Sequence, residues 1–166
     1  MRNVVLIGMP GVGKSTIGLL LAQALGKLFI DTDKLIEEQE GRSLQDIIDR
    51  DGLLAFLRIE ENRILNMDVS GHVVATGGSV VYSLKAIEHL KEDGIIIYLK
   101  VPYHEIKTRI RNEANRGIAM SKEQDLSELY EERTPLYEEY ADAIIDCSGK
   151  DVETIVRTIT AIVTTR

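Results

Sequence analysis

The segment Gly8-Met9-Pro10-Gly11-Val12-Gly13-Lys14-Ser15 constrains this chain more than any other. It matches the pattern G-x-x-x-x-G-K-[ST] in full, and its flanks are the ones that pattern needs. Before it runs Val4-Val5-Leu6-Ile7, a short β-branched stretch that reads as a buried strand. After it, residues 14–25 place Ile17, Leu20, Leu21, Ala24 and Leu25 at helical spacing, with Gly26 as a C-cap. A strand that enters a glycine-rich turn and then a helix can point its backbone N–H groups inward around phosphate oxygens. The helix adds its positive N-terminal end. The segment therefore reads as a nucleotide cradle formed by Gly11, Val12, Gly13, Lys14, Ser15 and Thr16. Lys14 supplies a point charge for the β- and γ-phosphates, and the Ser15 hydroxyl is placed to ligate Mg²⁺.

The rest of the chain repeats the alternation. Leu28-Phe29-Ile30 reads as a second strand running into Asp31-Thr32-Asp33, and residues 34–70 as mostly helical, broken near Gly41-Arg42-Ser43 and at Gly52. Ser43, with Asp46 three residues on, is an N-cap signal. Val73–Thr76, Ile95–Leu99 and Ala143–Ile145 are three further apolar runs, with helical patterns at about 84–92, 103–114, 122–141 and 151–163. Short, uniformly apolar strands alternating with helices are what a parallel sheet covered on both faces requires. No linker, repeat or low-complexity segment interrupts the 166 residues, so the expectation is one α/β domain.

Charge narrows the function classes. With 20 Lys and Arg against 27 Asp and Glu, the net charge is −7, which argues against a nucleic acid or an anionic membrane surface as partner. The acid is uneven: residues 31–68 hold 11 acids and 5 bases, and residues 123–146 hold 9 acids with Arg133 as the one base. The first thirty residues contain no acid at all, which suits an anion site. A single cysteine, Cys147, makes no internal disulfide and fits a reducing compartment, with a small buried hydrophobe as its default role. No apolar run has the length of a signal peptide or a membrane span, so a soluble, cytoplasmic protein is expected. His72, His89 and His104 lie on separate elements without metal-ligand spacing. Lys107, Arg109 and Arg111 read as a solvated helix face before phosphate contact.

Asp31 and Asp33 follow the second strand and face the cradle if that strand ends on the same side of the sheet. On an extended segment two acids one residue apart point to opposite faces, which suggests separate tasks. One could hold a metal-bound water and the other accept a hydrogen bond or proton from a substrate hydroxyl, with helix capping as the plainer role for either.

Taken together, the chain resembles the shikimate kinase family, small P-loop kinases that phosphorylate a hydroxyl of shikimate with MgATP. The phosphate loop is followed by Phe29-Ile30-Asp31-Thr32-Asp33, similar to the family's F-x-D-x-D, and by Gly41-Arg42-Ser43-Leu44-Gln45-Asp46-Ile47, similar to its G-R-S segment. Gly77-Gly78 resembles its glycine-rich turn, and Arg133-Thr134-Pro135-Leu136-Tyr137 its R-x-P-x-Y segment. The resemblance implies a P-loop fold with a five-stranded parallel sheet in the order 2-3-1-4-5, a helical substrate-binding region at about 34–70 and a lid at about 112–124. It implies a monomer that binds ATP, Mg²⁺ and a small-molecule acceptor. By the same resemblance Asp31 is the water-mediated magnesium contact, and Asp33 holds the acceptor hydroxyls and assists deprotonation. Gly78 offers a backbone N–H, Arg133 binds the acceptor carboxylate, and Arg116 is the lid arginine over the phosphates.

Three positions depart from the family pattern. Its G-E-x-x-F-R-x-x-E reads here Gly52-Leu53-Leu54-Ala55-Phe56-Leu57-Arg58-Ile59-Glu60, with Leu57 in the place of a carboxylate-binding arginine and Arg58 one residue late. Ser79 stands for a third glycine, and the lid reads Arg116-Gly117-Ile118-Ala119-Met120. Either Arg58 swings in to join Arg133, or the acceptor is another small hydroxylated molecule, such as a gluconate-like polyol. A nucleotide-binding regulatory module without phosphotransfer is the reading from another class, disfavoured by the presence of both Asp31 and Asp33.

Overall fold

Five short strands pair in parallel in the order β2-β3-β1-β4-β5. The computed structural model describes residues 2–111, 117–121 and 124–165. In chain order the elements are β1 (Asn3–Ile7), α1 (Lys14–Leu25), β2 (Leu28–Asp31), α2 (Thr32–Glu40), α3 (Leu44–Asp51), α4 (Leu53–Leu65), β3 (His72–Ala75), a 3₁₀ turn (Gly78–Tyr82), α5 (Leu84–Glu92), β4 (Gly94–Lys100), α6 (Tyr103–Arg111), α7 (Leu126–Tyr140), β5 (Ala143–Asp146) and α8 (Val152–Thr164).

β1 explains the uniform apolarity of its sequence. Val5 pairs with Val74 of β3 on one side and Ile96 of β4 on the other, and every residue of the strand is buried. A strand with neighbours on both edges and helices on both faces leaves Val4 to Ile7 no room for polar side chains. The one polar residue, Asn3 at its start, is buried with its side chain bonded to the Val69 carbonyl and the His72 amide. The core packs around it, with Ile17 and Leu21 of α1, Leu90 of α5 and Ile159 of α8 among its members. At the sheet edges the pattern relaxes, and Leu28 of β2 is 68 % exposed.

The connectivity positions the site. From β1 the chain runs out to β2, returns to β3 beside β1, then crosses to β4 and β5 on the other side. Because all strands are parallel, the loop after β1, Asp31 at the end of β2 and Thr76-Gly77 after β3 emerge along one edge of the sheet.

Two local structures differ from the sequence expectation. Asp31 ends β2 and caps α2, so Asp33 sits in the first turn of a helix and not on an extended segment. A capping carboxylate supplies acceptors for the orphan amides of a first turn, and that local gain starts the helix two residues early. The 3₁₀ turn at Gly78–Tyr82 is likewise unforeseen. α7 starts at Leu126 because the Asp125 side chain accepts from Glu128 N at 2.8 Å. The expected lid at 112–124 falls largely on residues 112–116 and 122–123, which lie outside the described residues, as does the continuation of α6 to 114. Among the described residues no helix is long and apolar enough to cross a membrane.

Candidate active site

One cavity of about 420 Å³ collects the phosphate loop, the start of α2, the turn after β3 and Arg133 of α7. Its phosphate side is made by backbone. Gly11 and Gly13 have φ of 85° and 95°, the left-handed region that residues with a Cβ rarely adopt, so glycine is required where the loop turns its amides inward. Lys14 is buried, and its ammonium donates to the carbonyls of Gly8 at 2.6 Å and Met9 at 2.8 Å. The cation is thus held over the loop by acceptors that phosphate oxygens can replace. Arg109 of α6 donates to the carbonyls of Gly11 and Val12 at 3.2 and 3.3 Å, so it braces the loop from behind. It is not merely part of a solvated face, as its spacing suggested.

The acidic pair after β2 does not split to opposite faces, and the capping role weighed for either acid belongs to Asp31. Asp31 performs two tasks with its two oxygens. Oδ1 accepts from the amides of Asp33 at 3.0 Å and Lys34 at 3.3 Å, and Oδ2 accepts the Ser15 hydroxyl at 2.6 Å. Asp31 and Asp33 both line the cavity, because the chain turns into α2 between them. Ser15 and Asp31 together form a hydroxyl and carboxylate set suited to a hard cation with oxygen ligands, which is the chemistry of Mg²⁺.

Side chains build the other wall. Gly77 has ordinary extended torsions, φ −68° and ψ 152°, so its backbone does not demand glycine. Space does: a Cβ there would lie 2.6 Å from Asp33 Oδ1 and 2.7 Å from Glu60 Oε2. A Cβ on Gly78 would lie 2.8 Å from Arg133 Nη1. The two glycines exist to let two carboxylates and a guanidinium approach the chain. Ser79, at the position of the family's third glycine, donates its hydroxyl to Glu60 Oε1 at 2.7 Å.

Glu60 is a site residue that its sequence context left without a role. It is 3 % exposed, and its Oε2 has no hydrogen-bond partner among the described residues. Burial and the adjacent Asp33 charge push its carboxyl up to about 7, against the Ser79 hydrogen bond and the charges of Arg133 and Lys14. The sequence did carry a signal: Phe56, Glu60 and Ile64 repeat every fourth residue on the buried stripe of α4, an acid between two hydrophobes.

Arg58 is not brought to the cavity. It is exposed and borders a separate shallow depression with Leu54, Leu57 and Tyr82. Phe56 points into the core, and a step of two residues is a rotation of about 200°, so Arg58 must face away. Arg116 lies outside the described residues.

Arg133 is 1 % exposed and lines the cavity. Its Nε donates to the Tyr82 hydroxyl at 3.2 Å, its Nη2 to the Ala119 carbonyl, and its Cζ lies 5.2 Å from the centre of the Tyr82 ring. Burial works against its charge, but the hydroxyls of Tyr137 and Tyr82 more than offset this and raise its pKa. Tyr137, stacked on Tyr98 at 5.1 Å, donates to the Gly78 carbonyl at 2.6 Å. Among the described residues no carboxylate lies within ion-pair distance of Arg133. A buried cation without an internal counter-ion is costly, and the cavity it faces is where an anion would relieve that cost.

The family model described as shikimate kinase matches residues 10–164. The chain belongs to the shikimate kinase family. Shikimate kinases of Paracidovorax citrulli and Geobacter sulfurreducens are 40 % and 39 % identical to it, over 95 % and 98 % of this chain and 89 % and 91 % of theirs. The solved structure of the shikimate kinase of Acinetobacter baumannii, in complex with shikimate, superposes with a TM-score of 0.89 at 29 % identity, covering 99 % of this chain and 94 % of that one. A gluconokinase of Sinorhizobium meliloti has a TM-score of 0.51 at 20 % identity, over 96 % of this chain and 90 % of that one, a likeness of fold alone. As a shikimate kinase family member the chain is a phosphotransferase, in a family that uses ATP and Mg²⁺.

Proposed function

We propose that this enzyme transfers the γ-phosphate of ATP to a hydroxyl of shikimate. The observation that carries the acceptor is Arg133, a buried guanidinium without a carboxylate partner among the described residues, on the same cavity as the phosphate loop and Asp33. An acceptor that bears both a carboxylate and a hydroxyl satisfies both ends of that cavity. The bound shikimate of the Acinetobacter baumannii relative supports the same choice.

Each residue then has a task. The amides of Gly11, Val12, Gly13, Lys14, Ser15 and Thr16 receive the phosphates, and Lys14 exchanges its two loop carbonyls for phosphate oxygens. Ser15 and Asp31 hold the metal side, with Asp31 keeping its cap on α2 through Oδ1. Bound Mg²⁺ spreads the charge that develops on the transferring phosphoryl group. Asp33 orients the acceptor hydroxyl and takes its proton, Gly78 presents a backbone N–H, and Arg133 fixes the carboxylate. Arg116 closes from a lid at about 112–124, over an acceptor-binding region at about 34–70. Positioning and electrostatics account for most of the rate in such a transfer. Arg58 has no part in it.

The test is ADP release by purified protein with MgATP alone, with shikimate, and with gluconate and a panel of polyols and hydroxy acids. Shikimate-dependent turnover is expected. Turnover with another acceptor only, or nucleotide binding without turnover on any, overturns the reading.

A further inference from the structure

Arg133 can only donate hydrogen bonds, and the carboxylate of Glu132 can only accept them. The Tyr82 hydroxyl stands between the two. It accepts from Arg133 Nε at 3.2 Å and donates to Glu132 Oε2 at 2.9 Å, so its one proton has a fixed direction. Glu132 Oε2 is itself held by Gln124 Nε2 at 2.8 Å. The Tyr82 ring meanwhile lies 5.2 Å from Arg133 Cζ. The hydroxyl constrains the guanidinium at Nε, the ring constrains it as a cation–π partner, and the Ala119 carbonyl constrains Nη2. The Tyr137 hydroxyl is a further hydrogen-bond partner of the guanidinium, and Nη1 lies against Gly78 on the cavity wall.

Leucines stand beside this arrangement. Leu57 borders the same two depressions as Tyr82. It occupies the position at which the family pattern carries an arginine, so Arg133 has no neighbouring guanidinium there with which to share an anion. A lone arginine that rotates offers an anion one good geometry among several, whereas a fixed one offers it at once.

We propose that Tyr82 is a positioning residue for acceptor binding: it locks the orientation of Arg133 so that one guanidinium suffices for the acceptor's carboxylate. The proposal rests on the reading of the acceptor as a hydroxy acid. It assigns a role to a residue outside every motif that marks this chain.

The test is steady-state kinetics of wild type, Tyr82→Phe and Tyr82→Ala, with shikimate and MgATP varied separately. Tyr82 is 37 % exposed, so both substitutions are compatible with folding, and a thermal melt of each variant verifies it. Tyr82→Phe deletes the hydroxyl and keeps the ring. The shikimate KM should rise about five- to tenfold, with kcat and the ATP KM within twofold of wild type. Tyr82→Ala, which loses the ring as well, should raise it further. Both variants keeping the wild-type shikimate KM overturns the assignment. So does a loss of kcat, or a rise in ATP KM, as large as the rise in shikimate KM. Wild type without shikimate-dependent turnover is a different failure, visible before any substitution, and overturns the acceptor reading and this assignment with it.

Discussion

The two halves of the cavity are built from different materials. The phosphate half is backbone: glycines at φ of 85° and 95°, a helix N-terminus, and a lysine bonded to loop carbonyls. The acceptor half is side chain: Asp33, Ser79 and Arg133 line it around two crowded glycines, and behind them Glu60 holds Ser79 and Tyr82 holds Arg133. None of the three departures from the family pattern falls in the cradle: Ser79 lines the acceptor wall, Leu57 borders the depressions beside Tyr82, and the third belongs to the expected lid. Backbone recognition tolerates little change, because each glycine is fixed by its own torsion angles. A wall of side chains can exchange one member for another, as at Ser79, whose hydroxyl bonds Glu60.

That contrast can be broken experimentally. Lys14→Ala should have the largest effect, lowering kcat/KM by about 10³-fold or more while shikimate binding by calorimetry stays near wild type. If shikimate binding collapses in parallel, the halves are not separable. Glu60→Gln probes the acceptor half through stability. Burial raises the folded pKa of Glu60 from 4.5 to about 7, so the folded chain keeps a proton that the unfolded chain releases. The resulting stability is complete below about pH 4.5 and is lost as pH rises through 7, an upper bound of about 3 kcal/mol for a shift of that size. Urea denaturation at pH 5 and pH 8 should show wild type weakening over that interval and Glu60→Gln weakening less. An equal decline in both would place Glu60 in water, contrary to its burial. Arg133→Lys should raise the shikimate KM by roughly 10- to 100-fold, the worth of a charge-assisted pair, with little change in the ATP KM. Leu57→Arg should act most gently, lowering the shikimate KM by up to about tenfold; no change would mean that Arg133 alone already saturates the carboxylate.

The same division governs how much of the molecule could be read from its residues. The cradle is contiguous, and its flanking strand and helix follow from local spacing, so β1 and α1 with its Gly26 cap agree with expectation, while the sheet order agrees with what the family resemblance implied. The start of α2 at Thr32 was hidden because Asp31 looks like a strand end until its side chain is seen bonded to the amides of Asp33 and Lys34. Arg109 reaches the phosphate loop across almost a hundred residues of chain, a contact no local pattern announces. The Glu60–Ser79 and Tyr82–Arg133 pairs are of the same kind. Leu57 was legible as a substitution, but that Arg58 could not replace it required the direction of α4.

One carboxylate joins the halves. Asp31 grips the first turn of α2 with one oxygen and the Ser15 hydroxyl with the other. Any rotation of α2 as a unit carries that carboxylate along and pulls at the fastening to α1. Asp33 rides on the same first turn, so a ligand that shifts Asp33 is felt at Ser15, and a cation seated at Ser15 is felt at Asp33. Thermodynamics makes such an exchange even-handed: whatever nucleotide does to the affinity for acceptor, acceptor must do to the affinity for nucleotide.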